Sequence, residues 1–284
     1  PLYGEIMAEI TQEAKSHELT VYLPDTRGVT LSRYGRGNLK LGMGVYSYSR
    51  LPGRTYKAAL GTVDARPTGY FIPDDLDHGL KPSWPGTCPG STPECERICF
   101  ASRPVAELGP VASMWLGNSI REDVPPIPAD AKLLRLHVSG DFTSIEYISN
   151  WITNLSNRPD VTTWVYTRSW RVPELLPHLE NLRALPNVQM FASIDKSTPD
   201  DELKMITAAG WRRAWIDGDP RAGKVHRILA HTDKAQMFKN FEVQETGDSV
   251  KTLICPEETK AVKNCEECGF CFAGPRNDVT FLEH

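Results

Sequence analysis

Short apolar runs alternate with helical patterns between residues 133 and 217, and this alternation constrains the fold more than any other feature of the chain. The runs are typical of buried strands, and in chain order they are LLRLHVS, VTTWVYT, VQMFASI and RRAWID. The segments between them, which begin at Thr143, Val172 and Pro199, carry apolar residues at helical spacing. Because strand–helix–strand units with short links form parallel sheets with right-handed crossovers, the chain is predicted to be α/β. The pattern leaves open a doubly wound sheet and a complete or partial barrel.

The first 94 residues carry weaker signals. GEIMAEITQEAKS, at residues 4–16, is typical of a short helix, whereas LTVYLP and LKLGMGVYSYS are typical of strands. The stretch from about 60 to 94 is rich in Pro, Gly and Asp, which predicts loops. Residues 95–122 are predicted to be helical, with interruptions near Pro104 and Pro110. No run reaches the roughly 18 apolar residues that a membrane span needs.

Polar or charged residues stand at the end of each strand in the alternating run. Functional residues of parallel sheets gather at the carboxyl ends of the strands. A polar strand end is ordinary where a strand meets solvent, but such ends in succession predict one shared site at this edge. The candidates are Ser139, Gly140 and Asp141, then Thr167, Arg168 and Ser169, then Ser193 and Asp195, and finally Asp217 and Asp219.

The seven cysteines fall into two dense groups. The first group, Cys88, Cys95 and Cys99, has the spacing C-x6-C-x3-C, and the second, Cys255, Cys265, Cys268 and Cys271, has the spacing C-x9-C-x2-C-x2-C. Because the number is odd and no secretory leader opens the chain, a disulfide scaffold is not expected and the predicted compartment is the reducing cytoplasm. Grouped cysteines are then predicted to be metal or cluster ligands, with ordinary buried thiols as the alternative.

The two groups imply different kinds of coordination. Four cysteines either close the shell of a zinc ion or hold a [4Fe–4S] cluster, and the C-x2-C-x2-C run is closer to the ferredoxin pattern. Three cysteines leave one coordination position open, as catalytic metal sites do. Alternatively, a nearby His or Asp completes a zinc site there, and His137 is the histidine that could approach in space.

A three-cysteine loop ahead of a parallel β/α run, with the Ser-Gly-Asp turn of LHVSGDF closing an early strand, resembles the radical S-adenosylmethionine (SAM) enzymes. The resemblance implies a radical SAM-like partial (β/α) barrel of parallel strands. It also implies a [4Fe–4S] cluster on the first cysteine group, whose open iron binds SAM. The usual spacing in that superfamily is C-x3-C-x2-C, which differs from the spacing here. The implied SAM-binding residues are Ser139, Gly140 and Asp141 for the methionine amino group, and Thr167, Arg168, Ser169, Ser193 and Asp195 for the ribose and carboxylate.

The resemblance further implies an organisation and an activity. Residues 1–85 would form an N-terminal extension with the first barrel strand, residues 86–250 the β/α core, and residues 251–284 a module whose four cysteines carry a second [4Fe–4S] cluster. The implied activity is reductive cleavage of SAM, which starts hydrogen abstraction from an unidentified substrate. An electron donor such as a flavodoxin or ferredoxin would be a partner. No catalytic residue is assigned beyond these, and no membrane partner is expected.

A narrower resemblance comes from three phrases together with the C-terminal cysteine group. TCPGSTPEC, LHVSGDFTSIEYISNW and YTRSWR are similar to the bacteriophage "gene product 88" family, over roughly residues 85–274. For a phage-encoded protein the expected compartment is the host cytoplasm.

The segment WRRAWIDGDPRAGKVHR, residues 211–227, bears on the substrate. Its basic residues with interleaved tryptophans suit phosphate contact and base stacking, so a nucleotide or DNA is a candidate substrate, and a solvated face with core tryptophans is the alternative. The net charge of −4 argues against a generally basic nucleic-acid coat. The rival functions are a zinc-stabilised, non-catalytic phage protein that binds nucleic acid or protein, and an iron–sulfur protein of electron transfer or redox sensing.

Overall fold

The computed structural model describes residues 19–23, 32–53, 56–60, 83–84, 86–101, 109–227, 251–273 and 277–282. The strands are β1 (Leu19–Leu23), β2 (Gly35–Asn38), β3 (Gly42–Tyr48), β4 (Tyr56–Leu60), β5 (Ser83–Trp84), β6 (Leu133–Leu136), β7 (Thr162–Thr167), β8 (Val188–Ser193), β9 (Arg212–Ile216), β10 (Lys224–His226), β11 (Lys251–Ile254) and β12 (Asp278–Phe281). The α-helices are α1 (Pro93–Arg97), α2 (Gly109–Ser119), α3 (Ile145–Ser156), α4 (Leu176–Arg183), α5 (Asp200–Ala208), α6 (Cys265–Cys268) and α7 (Phe270–Ala273). Short 3-10 helices lie at Ser169–Arg171 and Pro220–Ala222.

Nine of the strands form one sheet in the order β10-β11-β12-β9-β8-β7-β6-β3-β2. All neighbours are parallel except β2 and β3, which form an antiparallel pair at one edge. The predicted alternation is confirmed from β6 to β9, where α3, α4 and α5 connect neighbouring parallel strands. Within the described residues the sheet is open, with β10 and β2 at its edges, so the protein is mixed α/β with a mostly parallel sheet.

The three crossover helices cover one face of this sheet and form the main hydrophobic core with it. α3 begins after Ser144, whose side-chain oxygen accepts the backbone N–H of Tyr147, and Tyr147 and Trp151 lie on its buried side. The strand residues that meet the helices recur at every second position: Leu134 and Leu136 in β6, and Val188, Met190 and Ala192 in β8. Because side chains alternate along a strand, the residues between them face the other side of the sheet.

The second crossover helix is shorter than the sequence predicts. The pattern indicates a helix over residues 172–185, with Pro177 in an awkward interior position, whereas α4 begins only at Leu176. Pro177 therefore lies in the first turn, where a missing N–H removes no helical hydrogen bond. The preceding residues form a 3-10 turn, and its Trp170 is completely buried.

The C-terminal cysteine segment covers the opposite face of the sheet. β11 and β12 are strands of the sheet itself, and the connection between them carries α6 and α7. The backbone N–H groups of Cys265 and Glu266 donate to the carbonyls of Lys40 and Leu41, at 2.8 and 2.9 Å, which ties α6 to the start of β3. The residues of this face are Trp164, Tyr166, Phe191 and Ala214 from the strands, and Cys255, Cys268, Phe270, Cys271 and Phe272 from the segment.

The remaining predictions fall on regions that are described in part. β1 and β3 confirm the two strands predicted near the N-terminus. α1 and α2 occupy the predicted helical region, with Pro110 in the first turn of α2, and Pro104 lies outside the described residues. The predicted helix at residues 4–16 and most of the predicted loop also lie outside them. Among the described residues, no helix has the length and apolar character needed to cross a membrane.

Replacing Trp151 with alanine is expected to lower the free energy of unfolding by about 3–5 kcal/mol. Trp151 is completely buried and makes edge contacts with the rings of Tyr34, Tyr48 and Tyr147, so alanine leaves a cavity between α3 and the sheet. Chemical denaturation measures the change. Ile145→Ala, on the exposed side of the same helix, is the matched control, and equal losses in both variants would contradict this packing.

Candidate metal and cofactor site

The three-cysteine loop is attached to the carboxyl ends of β6 and β8. The hydroxyl oxygen of Thr87 lies 3.4 Å from the backbone nitrogen of Asp141, which follows β6. Thr92 donates its hydroxyl to the carboxylate of Asp195, after β8, at 2.6 Å. The same Thr92 oxygen accepts the backbone N–H of Cys95 at 3.0 Å and so begins α1. One short loop is thereby held at two strand ends at once.

Between these two attachments the loop crosses the end of β7 at close range. Gly90 packs against the main-chain carbonyl of Arg168, and a Cβ at residue 90 would collide with it. Gly140 has a φ of 77°, and a Cβ there would lie 2.5 Å from the hydroxyl oxygen of Thr87. Only glycine fits the close approach at residue 90, and only glycine readily combines the close approach with the positive φ at residue 140. The two glycines therefore determine how closely the cysteine loop approaches the strand ends.

Arg168 connects the loop to the strand ends through its charge. Its guanidinium lies 2.7 Å from the carboxylate of Asp195 and is close enough to the Cys95 thiol to affect its pKa. Burial raises the pKa of Cys95, and Arg168 partly opposes that rise. Burial also acts to raise the pKa of Asp195, but Arg168 and neighbouring hydroxyls outweigh it and hold that pKa below its usual value. Asp195 is therefore a buried carboxylate in its charged form.

The Asp141 carboxylate joins the end of β6 to the end of β7. One oxygen accepts the hydroxyl of Thr167 at 2.6 Å and the backbone N–H of Phe142 at 2.8 Å. The other accepts the backbone N–H groups of Arg168 and Ser169 at 2.7 and 3.1 Å. Burial raises the pKa of Asp141, and these hydrogen bonds oppose the rise. Four hydrogen-bond donors of the protein itself hold the Asp141 carboxylate, so Asp141 braces the strand ends. The resemblance to the radical SAM enzymes implies instead that Asp141 contacts SAM.

The structure brings the remaining predicted SAM-binding residues to the same edge. The Ser139 hydroxyl is buried and has no hydrogen-bond partner among the described residues. The Ser169 hydroxyl donates to the carbonyl of Phe142 at 2.8 Å. Ser193 is half-buried, and its carbonyl lies 3.4 Å from the indole nitrogen of Trp170. Their role as cofactor ligands stays a prediction.

The aspartates after β9 play a different part. Asp217 is exposed, whereas Asp219 is buried and pairs with Arg221 at 2.8 Å. Arg221 also donates to the main-chain carbonyl of Asp195 at 2.8 Å. Asp219 therefore reaches the candidate site only through Arg221.

The three thiols of the loop lie close enough to affect one another. Burial raises the pKa of Cys88 well above its usual value, and the charges of Asp141, Cys95 and Cys99 raise it further. All three cysteines are free thiols. In the described part of the chain, no three or more His, Cys, Asp or Glu side chains already stand in a metal-binding arrangement. A metal or cluster would therefore have to draw the thiols together and displace their protons.

His137, the histidine considered as a further ligand, belongs to the core beneath the strand ends. Its Nε2 lies 2.9 Å from the hydroxyl of Tyr147, and its ring packs edge-on against Phe142. Its Nδ1 lies 4.0 Å from the carboxylate of Asp141 and has no hydrogen-bond partner in the part of the chain that the structure describes. The contacts of this histidine are thus with the core and the Asp141 brace.

The four C-terminal cysteines gather on the sheet face opposite the crossover helices. Cys255 directly follows β11, Cys265 and Cys268 begin and end α6, and Cys271 lies in α7. The pKa of Cys255 is raised well above its usual value and that of Cys265 to about 12; burial is the main cause for both, and the charge of Cys271 contributes. The hydroxyl of Tyr166 donates to the Cys271 sulfur at 2.8 Å. Sulfur donors of this kind suit zinc and iron–sulfur clusters.

Sequence reasoning missed several residues that shape the two sites, namely Arg50, Thr87, Thr92, Arg135 and Tyr166. Thr92 had a local signal, since a threonine before a proline at the first helical position is typical of a helix N-cap. Arg50 had none, because this completely buried side chain donates to the carbonyls of Asn118 and Ser119, which are distant in sequence. Arg135 and Tyr166 likewise had no local signal, because their contacts depend on which elements pack against their strands.

The basic residues of the segment 211–227 are largely engaged inside the protein. Trp211 and Trp215 are buried in the main core. Arg213 and Arg221 form ion pairs with aspartates at 2.7 and 2.8 Å. This arrangement matches the alternative of core tryptophans, and these two arginines are not presented as a phosphate-binding face.

Fold and site together define a mostly parallel α/β protein with two groups of free cysteines, one at the carboxyl edge of the sheet and one on its second face. The chain belongs to the family described as "Gene product 88", whose model matches residues 116–274. The match includes β6 to β9 and all four C-terminal cysteines, and it begins after the three-cysteine loop.

Two curated relatives come from mycobacteriophages. The chain is 27% identical over 228 residues to the "Gene 88 protein" of Mycobacterium phage L5, a match over 70% of this chain and 83% of the relative. It is 25% identical over 225 residues to the "Gene 88 protein" of Mycobacterium phage D29, over 72% of this chain and 85% of the relative. No solved structure matches the chain. These findings support the resemblance to the gene product 88 family, and they do not test the resemblance to the radical SAM enzymes.

Asp141→Ala is expected to lower the free energy of unfolding by about 3 kcal/mol, because the buried N–H group of Arg168 and the buried hydroxyl of Thr167 lose their acceptor. Asp160→Ala is the control, since Asp160 is an exposed aspartate that also accepts hydrogen bonds. Asp160→Ala should lower the free energy of unfolding much less than Asp141→Ala does. Chemical denaturation of both variants checks the difference, and similar losses would show that Asp141 is not a brace.

The stability of the protein is expected to fall as the pH drops below about 6.5, and His137 should account for part of that fall. Burial, with the charges of Arg50 and Arg135, holds the pKa of His137 well below its usual value. The unfolded chain therefore binds a proton at a pH where the folded protein does not, so acid favours unfolding.

The test compares the pH dependence of unfolding between pH 5 and 7 in the wild type and in His137→Asn. Asparagine tolerates the positive φ of 55° at this position. In His137→Asn, the free energy of unfolding should fall less steeply with decreasing pH than in the wild type, by up to about 1.4 kcal/mol per pH unit. His178→Asn, a partly exposed histidine, is the control, and an unchanged slope in His137→Asn would refute the prediction.

Proposed function

We propose that this protein is a radical SAM-like iron–sulfur enzyme. Cys88, Cys95 and Cys99 would hold a [4Fe–4S] cluster, and the carboxyl ends of β6, β7 and β8 would hold SAM. Such a cluster, once reduced by an electron donor, would supply the electron for cleavage of a carbon–sulfur bond of SAM, and this chemistry would start hydrogen abstraction from the substrate.

The observation that carries the proposal is the attachment of the three-cysteine loop to this edge. Thr92 bonds to Asp195, and Gly90 packs on the main chain of Arg168. A loop with three thiols and a row of buried polar strand ends thus form one site. Functional residues of parallel sheets gather at this edge, so the placement suits a cofactor that bridges thiols and strand ends.

The charged groups of the edge complement the methionine part of SAM, which carries a carboxylate and an ammonium group. Arg168 and Asp195 present a cation and a carboxylate 2.7 Å apart, both largely buried. The Ser139 hydroxyl is a buried donor and acceptor without a partner among the described residues, and a ligand would satisfy it. Asp141 would hold these groups in position through the end of β7, rather than bind the ligand itself.

The proposal has further parts that rest on the resemblance to the radical SAM enzymes and on the cysteine pattern. They are curvature of the sheet into a partial barrel, a second metal centre on the C-terminal cysteines, and an electron donor of the flavodoxin or ferredoxin type. The substrate is unidentified. A nucleotide or DNA is the candidate from the sequence pattern at residues 211–227, and the ion pairs of Arg213 and Arg221 do not add support to it.

Protein purified without oxygen and reconstituted with iron and sulfide is expected to carry roughly eight irons per chain if both cysteine groups hold [4Fe–4S] clusters. With a strong reductant it should cleave SAM to methionine and 5′-deoxyadenosine. Changing Cys88, Cys95 or Cys99 to alanine should abolish cleavage and remove about half of the iron. Iron and sulfide analysis, with chromatography of the SAM products, measures both effects.

Ser91→Ala, in the same loop but without a thiol, is the matched control and should keep iron content and cleavage. Zinc without sulfide would overturn the proposal in favour of a zinc-stabilised binding protein. Iron and sulfide without binding or cleavage of SAM would instead indicate an electron-transfer or redox-sensing protein.

A further inference from the structure

Arg135 is a buried cation for which the described part of the chain offers no carboxylate at ion-pairing distance, although the charge of the buried Asp141 favours it from farther away. It lies in β6 and is only 8% exposed, and among the described residues its Nη1 has no hydrogen-bond partner. Arg168, just after β7, and Arg213, in β9, differ in that each has a carboxylate oxygen at 2.7 Å as an ion pair. A buried charge without a partner is costly, so its retention calls for an explanation.

The guanidinium of Arg135 faces the C-terminal cysteines. It lies over the ring of Tyr166, 4.0 Å from the ring centre. The hydroxyl of Tyr166 in turn lies 2.8 Å from the sulfur of Cys271. Tyr166, Cys265 and Cys271 belong to the same small core on this face of the sheet. The unpartnered cation is therefore directed at the region where the thiols gather.

The second buried arginine on this face has a different role. Arg212 donates to the main-chain carbonyls of Asn277 and Cys271 at 2.9 and 3.1 Å, and it stacks on the ring of Phe191. It fastens the backbone of the cysteine segment to the sheet. Among the described residues, the Nη1 of Arg135 makes no comparable main-chain contact, so this atom is not used for backbone attachment.

Thiols in their neutral form cannot balance a cation. Four thiolates around a divalent metal ion or a divalent cluster core, in contrast, keep a net negative charge. We infer that Arg135 is the buried counter-charge of a metal centre held by Cys255, Cys265, Cys268 and Cys271 as thiolates. Arg135 is thus a positioning residue that raises the affinity of this centre for its metal. The inference rests on the proposed metal ligation by these cysteines and is independent of SAM chemistry at the other group.

The test uses the full-length chain with Cys88, Cys95 and Cys99 changed to alanine, so that the C-terminal cysteines alone bind metal. Titration with Co²⁺, followed by its thiolate charge-transfer absorption, gives the affinity. Arg135→Met should weaken Co²⁺ binding by about 10- to 100-fold. The same variant should leave the metal-free protein equally stable or more stable, because it removes an unbalanced buried charge.

Arg135→Lys keeps the charge and should restore most of the affinity. Arg36→Met is the matched control, since Arg36 also lies over a tyrosine ring, that of Tyr46 at 5.2 Å, but is exposed. Arg36→Met should change neither the affinity for Co²⁺ nor the stability of the metal-free protein. A residue with a purely structural role would instead lower the stability of the metal-free protein and leave the intrinsic affinity for Co²⁺ unchanged.

Unchanged affinity in Arg135→Met would overturn the inference, and so would a loss that Arg135→Lys fails to restore. If the parent chain binds no Co²⁺, metal ligation by the C-terminal cysteines is itself wrong, and the inference falls with it. If the chain with alanine at positions 88, 95 and 99 does not fold, the measurement is repeated on a chain with serine at these three positions. The SAM assay on the unaltered first cysteine group is unaffected by any of these results, so the two proposals fail separately.

Discussion

A parallel sheet has to bury both of its faces, and the arrangement of this protein follows from the two different ways in which it does so. The crossover helices α3, α4 and α5 cover one face, as their connections between neighbouring parallel strands require. The other face receives the C-terminal cysteine segment, whose Phe270 and Phe272 pack on strand residues such as Phe191 and Trp164. The four C-terminal cysteines are therefore part of the hydrophobic interior, and any metal bound there would contribute to the stability of the fold.

The carboxyl edge of the sheet is held by polar contacts instead. Asp141 accepts hydrogen bonds from the end of β7, and Asp195 accepts one from the three-cysteine loop. Each buried carboxylate is satisfied, as buried polar groups must be. The loop consequently has one defined position over the strand ends. This network would preorganise the proposed site, whereas a metal or cluster would have to draw the thiols together.

Buried arginines show how the same side chain serves different purposes in one sheet. Arg50 holds the end of α2 through main-chain carbonyls, Arg168 pairs with Asp195, and Arg212 holds the cysteine segment. Each of these contacts compensates for removing the guanidinium from water. Among the described residues, the Nη1 of Arg135 has no such contact, and the proposed metal–thiolate centre would be its partner.

The sequence by itself determined the order of strands and helices from β6 to β9, because the period of the apolar residues is a local property. It also determined which residues end those strands and which cysteines belong together in the chain. It placed Pro177 in a helix interior, whereas α4 begins only at Leu176, after a 3-10 turn that the apolar period does not predict. Only the tertiary structure decided that Asp141 is a brace, that Tyr166 meets Cys271, and that the C-terminal cysteines cover a face of the sheet. Those contacts join residues far apart in sequence, and their formation depends on the packing of whole elements, which no local pattern records.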